Sequence, residues 1–69
     1  MTELTLQVNG ATRTVPGPAS LAGLLTHLGL DARMVVVERN REIVRRAQLE
    51  AVALQDGDVI ELVHFVGGG

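Results

Sequence analysis

The chain has 69 residues, of which 46% are hydrophobic and 20% charged, a composition typical of one small globular domain. Six arginines are scattered among eight acidic residues, and the net charge is -2. Nucleic-acid binding depends on clustered positive charge, so this balance argues against it. The sequence has no cysteine and therefore no disulfide, cysteine-ligated metal or thiol nucleophile.

Two further properties limit the class of protein. A domain this short has a modest core and little apolar material to spare for a deep substrate pocket, which argues against a free-standing enzyme. No apolar run approaches the roughly 20 residues of a membrane helix, and the N-terminus opens without a signal peptide. We therefore expect a cytoplasmic protein that does not bind membranes.

The N-terminal quarter predicts a β-hairpin. Apolar and polar residues alternate over positions 4–8, the period-2 pattern of a strand with one wet face. The dipeptide Asn9-Gly10 is a strong signal for a type I′ turn, which needs positive φ at both central positions. A second strand is expected over residues 11–15, ended by Pro16.

One short amphipathic helix is predicted over residues 20–28. Four leucines within it are spaced i, i+3, i+4 and i+7, which gives a single apolar stripe. Ser20 can cap its start, and Gly29 stands where a left-handed residue ends a helix. His27 lies off the stripe and is expected in water.

The second half predicts three more strands. Residues 34–37 form a β-branched run too short for a buried helix, so we expect a strand covered on both faces. After a turn at residues 40–41, a short edge strand is expected over residues 42–45, where arginines discourage edge-to-edge aggregation. Residues 48–54 are irregular or form a short helical turn, and the last strand begins at Val59.

This order of elements predicts an α+β domain of the ubiquitin-like β-grasp type, a mixed sheet packed on one main helix. The strand after the helix is expected to pair beside the first, with the last strand in a central position. Residues 1–69 are expected to form this single domain, with residues 67–69 as a flexible C-terminal glycine tail. The expected core consists of Leu4, Leu6, Leu21, Leu25, Leu28, Ile60 and Leu62.

Conventional catalytic and metal-binding patterns are missing from the sequence. The lone Ser20 has no sign of a triad with either His27 or His64. Asp56 and Asp58 flank a glycine, and turn chemistry accounts for both. Two histidines far apart in sequence do not make a zinc motif, so no metal site is expected.

The C-terminus carries the most informative feature, because Gly67, Gly68 and Gly69 directly follow the last strand. One interpretation is a frayed end. The other is a tail that threads a narrow channel and presents its carboxylate to an active site on another protein. An α-carboxyl group has a pKa of about 3.3 to 3.7, so it is anionic at neutral pH and can attack the α-phosphate of a nucleotide. The partner then supplies the catalysis.

The chain resembles the ThiS family, the sulfur-carrier proteins of thiamin biosynthesis, in four segments: residues 36–40, 42–44, 56–63 and 64–69. The resemblance covers essentially the whole chain, including its length. A terminal diglycine alone is shared with ubiquitin-like modifiers and the molybdopterin sulfur carrier, whereas the longer ending is more specific. Arg45 departs from the family pattern, in which many members have proline.

The resemblance implies that the Gly69 carboxylate is adenylated by an E1-like adenylyltransferase that uses Mg-ATP. Sulfur from a cysteine-derived persulfide then converts it to a thiocarboxylate, which delivers sulfur to thiazole synthase. The chain would be a protein co-substrate rather than an enzyme, with no bound cofactor of its own.

Two further roles are expected beside this chemistry. Gly67 and Gly68 would act in tail threading by being slender, while Val63, Phe65 and Val66 would form a partner-binding patch next to the tail. The alternatives are a sulfur carrier for molybdopterin or tRNA thiolation and a non-catalytic ubiquitin-like binding module. Only the binding module would tolerate the loss of Gly69.

Overall fold

The computed structural model describes residues 2–65. In this range the chain forms a sheet of five strands, one α-helix and two short 3-10 segments. The bounds are β1 Thr2–Val8, β2 Ala11–Gly17, α1 Leu21–His27, β3 Val35–Arg39, β4 Glu42–Val44 and β5 Val59–His64, with 3-10 segments at Ala32–Met34 and Arg46–Gln48.

The sheet has the strand order β2-β1-β5-β3-β4. β1 pairs antiparallel with β2 and parallel with β5, while β3 pairs antiparallel with both β5 and β4. The expectation that the strand after the helix lies beside the first is therefore wrong, whereas the central place of the last strand is confirmed. The two hairpins each leave an inner edge unpaired, and β5 fills the gap between those edges.

Both hairpin turns are left-handed, a geometry predicted for Asn9-Gly10, whereas residues 40–41 were expected only to form a turn. Asn9 and Gly10 have φ angles of 50° and 80°, and Asn40 and Arg41 have 51° and 72°. Positive φ at both central positions matches the right-handed twist of the flanking strands.

Several predicted strand limits need correction, and among them β3 extends to Arg39 instead of residue 37 and β4 ends at Val44 instead of Arg45. Pro16 does not end β2, because it pairs with Glu3. β2 is an edge strand, where the N–H group that proline lacks can face solvent without loss. Met34 belongs to a 3-10 segment, so β3 starts one residue later than expected.

The helix is short because its capping signals are close together. The Ser20 hydroxyl accepts a hydrogen bond from the Gly23 N–H at 3.0 Å, and Gly29 has a φ of 74° just after the C-cap. Two further N–H groups at the helix start donate to the 49–54 loop, Leu21 to Val52 and Ala22 to Leu49. The irregular 49–54 loop thus satisfies backbone groups that a helix leaves free.

The core lies between α1 and the sheet. Of the residues predicted for it, Leu4, Leu6, Leu21, Leu25 and Ile60 are buried, while Leu28 and Leu62 are partly buried against it. The prediction omitted Val8, Val15, Leu24, Val35, Val37, Leu49 and Leu54, all of which are buried. Within residues 2–65, no helix is long and apolar enough to cross a membrane.

Candidate functional site

The predicted tail residues Val66, Gly67, Gly68 and Gly69 lie outside the described residues. The description ends at Phe65, one residue past β5, where the Phe65 N–H donates to the Met34 carbonyl at 2.8 Å. The chain therefore approaches its predicted site of chemistry along the central strand of the sheet.

The two faces of β5 differ as the sequence predicted. Ile60 is fully buried beneath the helix, and Leu62 is partly buried on the same face. Val63 and Phe65, on the opposite face, are 56% and 53% exposed. Successive strand residues point to opposite faces, so this pattern places both predicted docking residues on the helix-free face, here called the outer face.

The exposed apolar surface extends beyond these two residues. Val59 and Ile43 are 43% and 68% exposed, and the strand register places both side chains on the outer face. Glu38 on β3 lies directly opposite both Ile43 on β4 and Glu61 on β5, and Glu61 is followed two residues later by Val63. The outer face thus combines apolar side chains with a pair of carboxylates, and the sequence analysis had identified only the part beside the tail.

The start of β5 is fixed by a buried carboxylate. Asp58 is 6% exposed and accepts hydrogen bonds from Arg39 Nε at 2.9 Å, Asn40 Nδ2 at 3.1 Å and the Gln55 N–H at 2.8 Å. Burial alone would raise the pKa of this carboxyl. The three donors outweigh burial and hold the pKa of Asp58 below its usual value. Turn chemistry, the sequence interpretation of Asp58, describes only part of this role.

A second side chain extends the pairing between β1 and β5. β1 ends at Val8, and the Asn9 N–H still donates to the Ile60 carbonyl at 2.9 Å. The Asn9 side chain then bonds both backbone groups of Leu62, accepting from its N–H at 2.8 Å and donating to its carbonyl at 3.2 Å. Asn9 therefore substitutes for the next residue of a parallel strand.

Conventional catalytic machinery is not assembled in the described part of the chain. The Ser20 hydroxyl accepts the helix-capping hydrogen bond, and both His27 and His64 are exposed. Across residues 2–65, histidine, aspartate and glutamate side chains form no group of three or more that could hold a metal ion. What this structure offers is a rigid sheet, an exposed outer face and the strand that leads to the tail.

A mixed five-stranded sheet with one helix packed on one face and its last strand in the centre defines a ubiquitin-like β-grasp domain. The model of the ThiS family matches residues 6–69. The chain belongs to the ThiS family.

Individual relatives agree with this assignment. A sulfur carrier protein ThiS of Bacillus subtilis is 43% identical over 65 residues, which are 93% of this chain and 98% of that protein. The crystal structure of the thiamine biosynthesis protein ThiS of Geobacter metallireducens is similar with a TM-score of 0.81 at 38% identity, covering 96% of this chain and 100% of that one.

A larger protein contains a similar segment. A thiazole synthase of Paramagnetospirillum magneticum is 45% identical over 64 residues, or 93% of this chain. The chain spans only 20% of the length of that thiazole synthase.

Proposed function

We propose that this protein is a sulfur carrier of thiamin biosynthesis and that its Gly69 carboxylate holds the sulfur. The observation that carries the proposal is the ThiS-family match, which runs through the glycine ending at residues 67–69. The fold supports it, since β5 is paired on both sides and gives the tail a rigid base.

The proposed chemistry begins with activation of the carboxylate. In an E1-like adenylyltransferase, a carboxylate oxygen of Gly69 attacks the α-phosphate of Mg-ATP, which releases pyrophosphate and forms an acyl-adenylate. The terminal sulfur of a persulfide then displaces AMP, and a thiol cleaves the resulting acyl disulfide to leave a thiocarboxylate. The product is a soft, anionic nucleophile that can deliver its sulfur to thiazole synthase. Mg-ATP is used by the partner, and this chain supplies only the acyl group.

The comparisons support one of the proposed partners directly. In the thiazole synthase of Paramagnetospirillum magneticum, a segment similar to this chain is part of the same polypeptide. Such a link fits a carrier that hands sulfur to thiazole synthase. The adenylyltransferase is proposed because an unactivated carboxylate is a poor electrophile. The persulfide donor is proposed because the activated carboxylate then needs a source of sulfur.

The tail and the outer face have separate roles in this mechanism. Gly67 and Gly68 let the tail pass through a narrow channel, because they carry no side chain. Val63, Phe65 and Val66 anchor the protein beside that channel. An anchor next to the tail reduces the entropy lost when the reactive group is positioned.

Deleting Gly69 tests the proposal. One residue spans at most about 3.3 to 3.6 Å, so the deletion withdraws the carboxylate from a near-attack distance of about 3 to 3.5 Å. With the cognate adenylyltransferase, Mg-ATP and a persulfide donor, the full chain should release pyrophosphate and gain the mass of one oxygen-to-sulfur exchange. The shortened chain should do neither while keeping its far-ultraviolet circular dichroism spectrum.

The exposed variant Arg45→Ala is the matched control and should be thiocarboxylated normally. Efficient thiocarboxylation of the shortened chain would contradict the carrier proposal and favour a binding module. The thiocarboxylate could also form but pass its sulfur only to enzymes of molybdopterin synthesis or tRNA thiolation. In that case the protein would be a sulfur carrier of one of those pathways and not of thiamin biosynthesis.

A further inference from the structure

A groove of about 600 Å³ opens on the helix side of the sheet, beside the last residues of β5. It lies between the turn that follows β1 and the C-terminal end of α1. Leu28, Leu30 and Leu62 contribute to its apolar lining. Leu62 and His64 face this groove, whereas Val63 and Phe65 face the other side of the sheet, so the groove is separate from the outer face.

Among residues 2–65, three of the four polar side chains that line the groove are basic, and the fourth is Asn9. The chain has eight acidic residues and a net charge of -2, yet none of the residues from 2 to 65 that line the groove carries a carboxylate. Arg13 and both histidines of the chain, His27 and His64, line it instead. An imidazole donates at least one N–H in either protonation state, and a guanidinium donates several. The groove is therefore complementary to a carboxylate.

The groove also borders an open sheet edge. The N–H of Phe65 bonds to Met34 of the β3 side, whereas Leu62 bonds to Asn9 on the β1 side. Backbone groups alternate between the two sides of a strand, so the N–H and C=O of His64 point toward the β1 side. Among residues 2–65, the ladder between β1 and β5 stops at Val8 and Ile60, with Asn9 extending it only to Leu62.

We propose that this groove binds an extended segment of a partner protein that carries an apolar and an acidic side chain. The backbone of the segment pairs with His64 and adds a short strand beside β5. Its apolar side chain packs on Leu28 and Leu62, and its carboxylate pairs with Arg13. The apolar lining, the donors and the open edge together fit a peptide better than a bare anion. This inference does not rest on sulfur transfer.

The test uses two capped peptides, acetyl-Leu-Thr-Glu-Thr-amide and its neutral counterpart acetyl-Leu-Thr-Gln-Thr-amide, in which the apolar and the acidic residue alternate and so share one face of an extended strand. Each is titrated into the full-length protein labelled with ¹⁵N while amide chemical shifts are recorded. The acidic peptide should shift the Leu62, His64 and Arg13 amides in a saturable way and bind about tenfold more tightly than the neutral one. No saturable shift, or equal binding of both peptides, would overturn the proposal.

Two matched variants separate a local contact from general charge. Arg13→Glu should weaken binding of the acidic peptide about tenfold, whereas Arg45→Glu, the same reversal outside the groove, should leave it nearly unchanged. Equal weakening by both would show long-range attraction only and would contradict the proposal. Should Arg13→Glu not fold, Arg13→Gln serves in its place with the same expected direction.

Hydrogen exchange distinguishes strand pairing from anion binding. The acidic peptide should slow exchange of the His64 N–H but not that of the Val63 N–H, which already faces β3. Inorganic phosphate is the second probe. If phosphate alone gave the same shifts at the same affinity and no protection of His64, the groove would be a small-anion site and the proposal would be wrong.

Discussion

Asp58 shows how one buried carboxylate organises several segments. Its donors come from the end of β3, the following turn and the loop before β5. Asn40 continues the contact by accepting the Val59 N–H at 2.9 Å and donating its own N–H to the Val59 carbonyl at 2.7 Å. A single ionised group thus fixes where β5 enters the sheet.

We expect Asp58→Asn to destabilise the fold by about 1.5 to 3 kcal/mol, the range for a hydrogen bond to a charged group. Because the folded-state pKa of Asp58 lies below its unfolded value of about 3.9, ionised Asp58 contributes its full stabilisation only above that value. The contribution is lost as the pH falls from about 4 through the folded pKa. In urea unfolding at pH 7 and pH 3, the free energy of unfolding should fall less on acidification for the variant than for the parent protein.

Glu50→Gln is the control for this measurement, because Glu50 is exposed. It should change neither the stability at pH 7 nor the response to acid. If the Asp58→Asn protein were as stable as the parent, the three hydrogen bonds to the carboxylate would make no net contribution to the free energy of unfolding.

Leu25→Ala in α1 should be more severe than the equivalent change at Leu28, the C-cap residue of that helix. Leu25 is 2% exposed, and removal of that much buried aliphatic volume costs about 2 to 5 kcal/mol. This is a large fraction of the stability of a small domain. Leu28→Ala, on the same helix stripe but only partly buried, should cost clearly less in guanidinium unfolding. Equal losses of stability in the two variants would mean that the loss does not depend on how deeply the leucine is buried.

At the scale of elements, the weakest junction of the sheet lies between β1 and β5. Among residues 2–65, two residue pairs form this parallel ladder, compared with five between β3 and β5. The Asn9 side chain lengthens the short ladder, so a turn residue also acts as a strand residue.

Asn9→Gly isolates this function, because glycine suits the left-handed turn position and removes only the side chain. Two hydrogen bonds are lost, each with a net value of about 0.5 to 1.5 kcal/mol, so we expect a loss of about 1 to 3 kcal/mol. Hydrogen exchange of the Leu62 amide should accelerate.

Arg41→Gly is the matched control in the other hairpin. Arg41 also has positive φ, and in the described part of the chain its side chain makes no hydrogen bond. Its replacement should not destabilise the protein. Equal losses in both variants would indicate a general effect of glycine in the turns.

At the scale of the whole molecule, local signals predicted local structure well. The turn at Asn9-Gly10 and the helix caps at Ser20 and Gly29 depend on near neighbours in sequence, and each lies where it was expected. The place of β3 was wrong because strand order depends on pairing between distant segments. Burial of Leu49 and Leu54 was missed for a related reason, since an irregular loop has no periodicity that would reveal it.

In the candidate site, too, some features could be predicted from local sequence, whereas others depend on pairing between distant segments. Alternation along β5 was sufficient to place Val63 and Phe65 on the outer face. Ile43 and Val59 joined them only through the sheet register, and the groove depends on residues from both halves of the chain. The expected roles of Val66, Gly67, Gly68 and Gly69 stay predictions.

The docking role of the outer face can be tested on folded protein. Val63→Asp and Phe65→Ala should each weaken binding to the adenylyltransferase and to thiazole synthase about tenfold or more, as loss of a buried apolar anchor does. Thr14→Asp is the control, since Thr14 is exposed on the same face but belongs to β2. Unchanged affinity of both variants for both partners would remove the patch from the mechanism.

The central position of β5 has a mechanical consequence. A pull applied at Phe65 along the strand loads the ladders with β1 and β3 in shear, so several hydrogen bonds must break together. At an edge strand pulled sideways, the bonds would open one after another. A domain built this way can have its C-terminal end drawn into a tight channel and released again without the sheet coming apart.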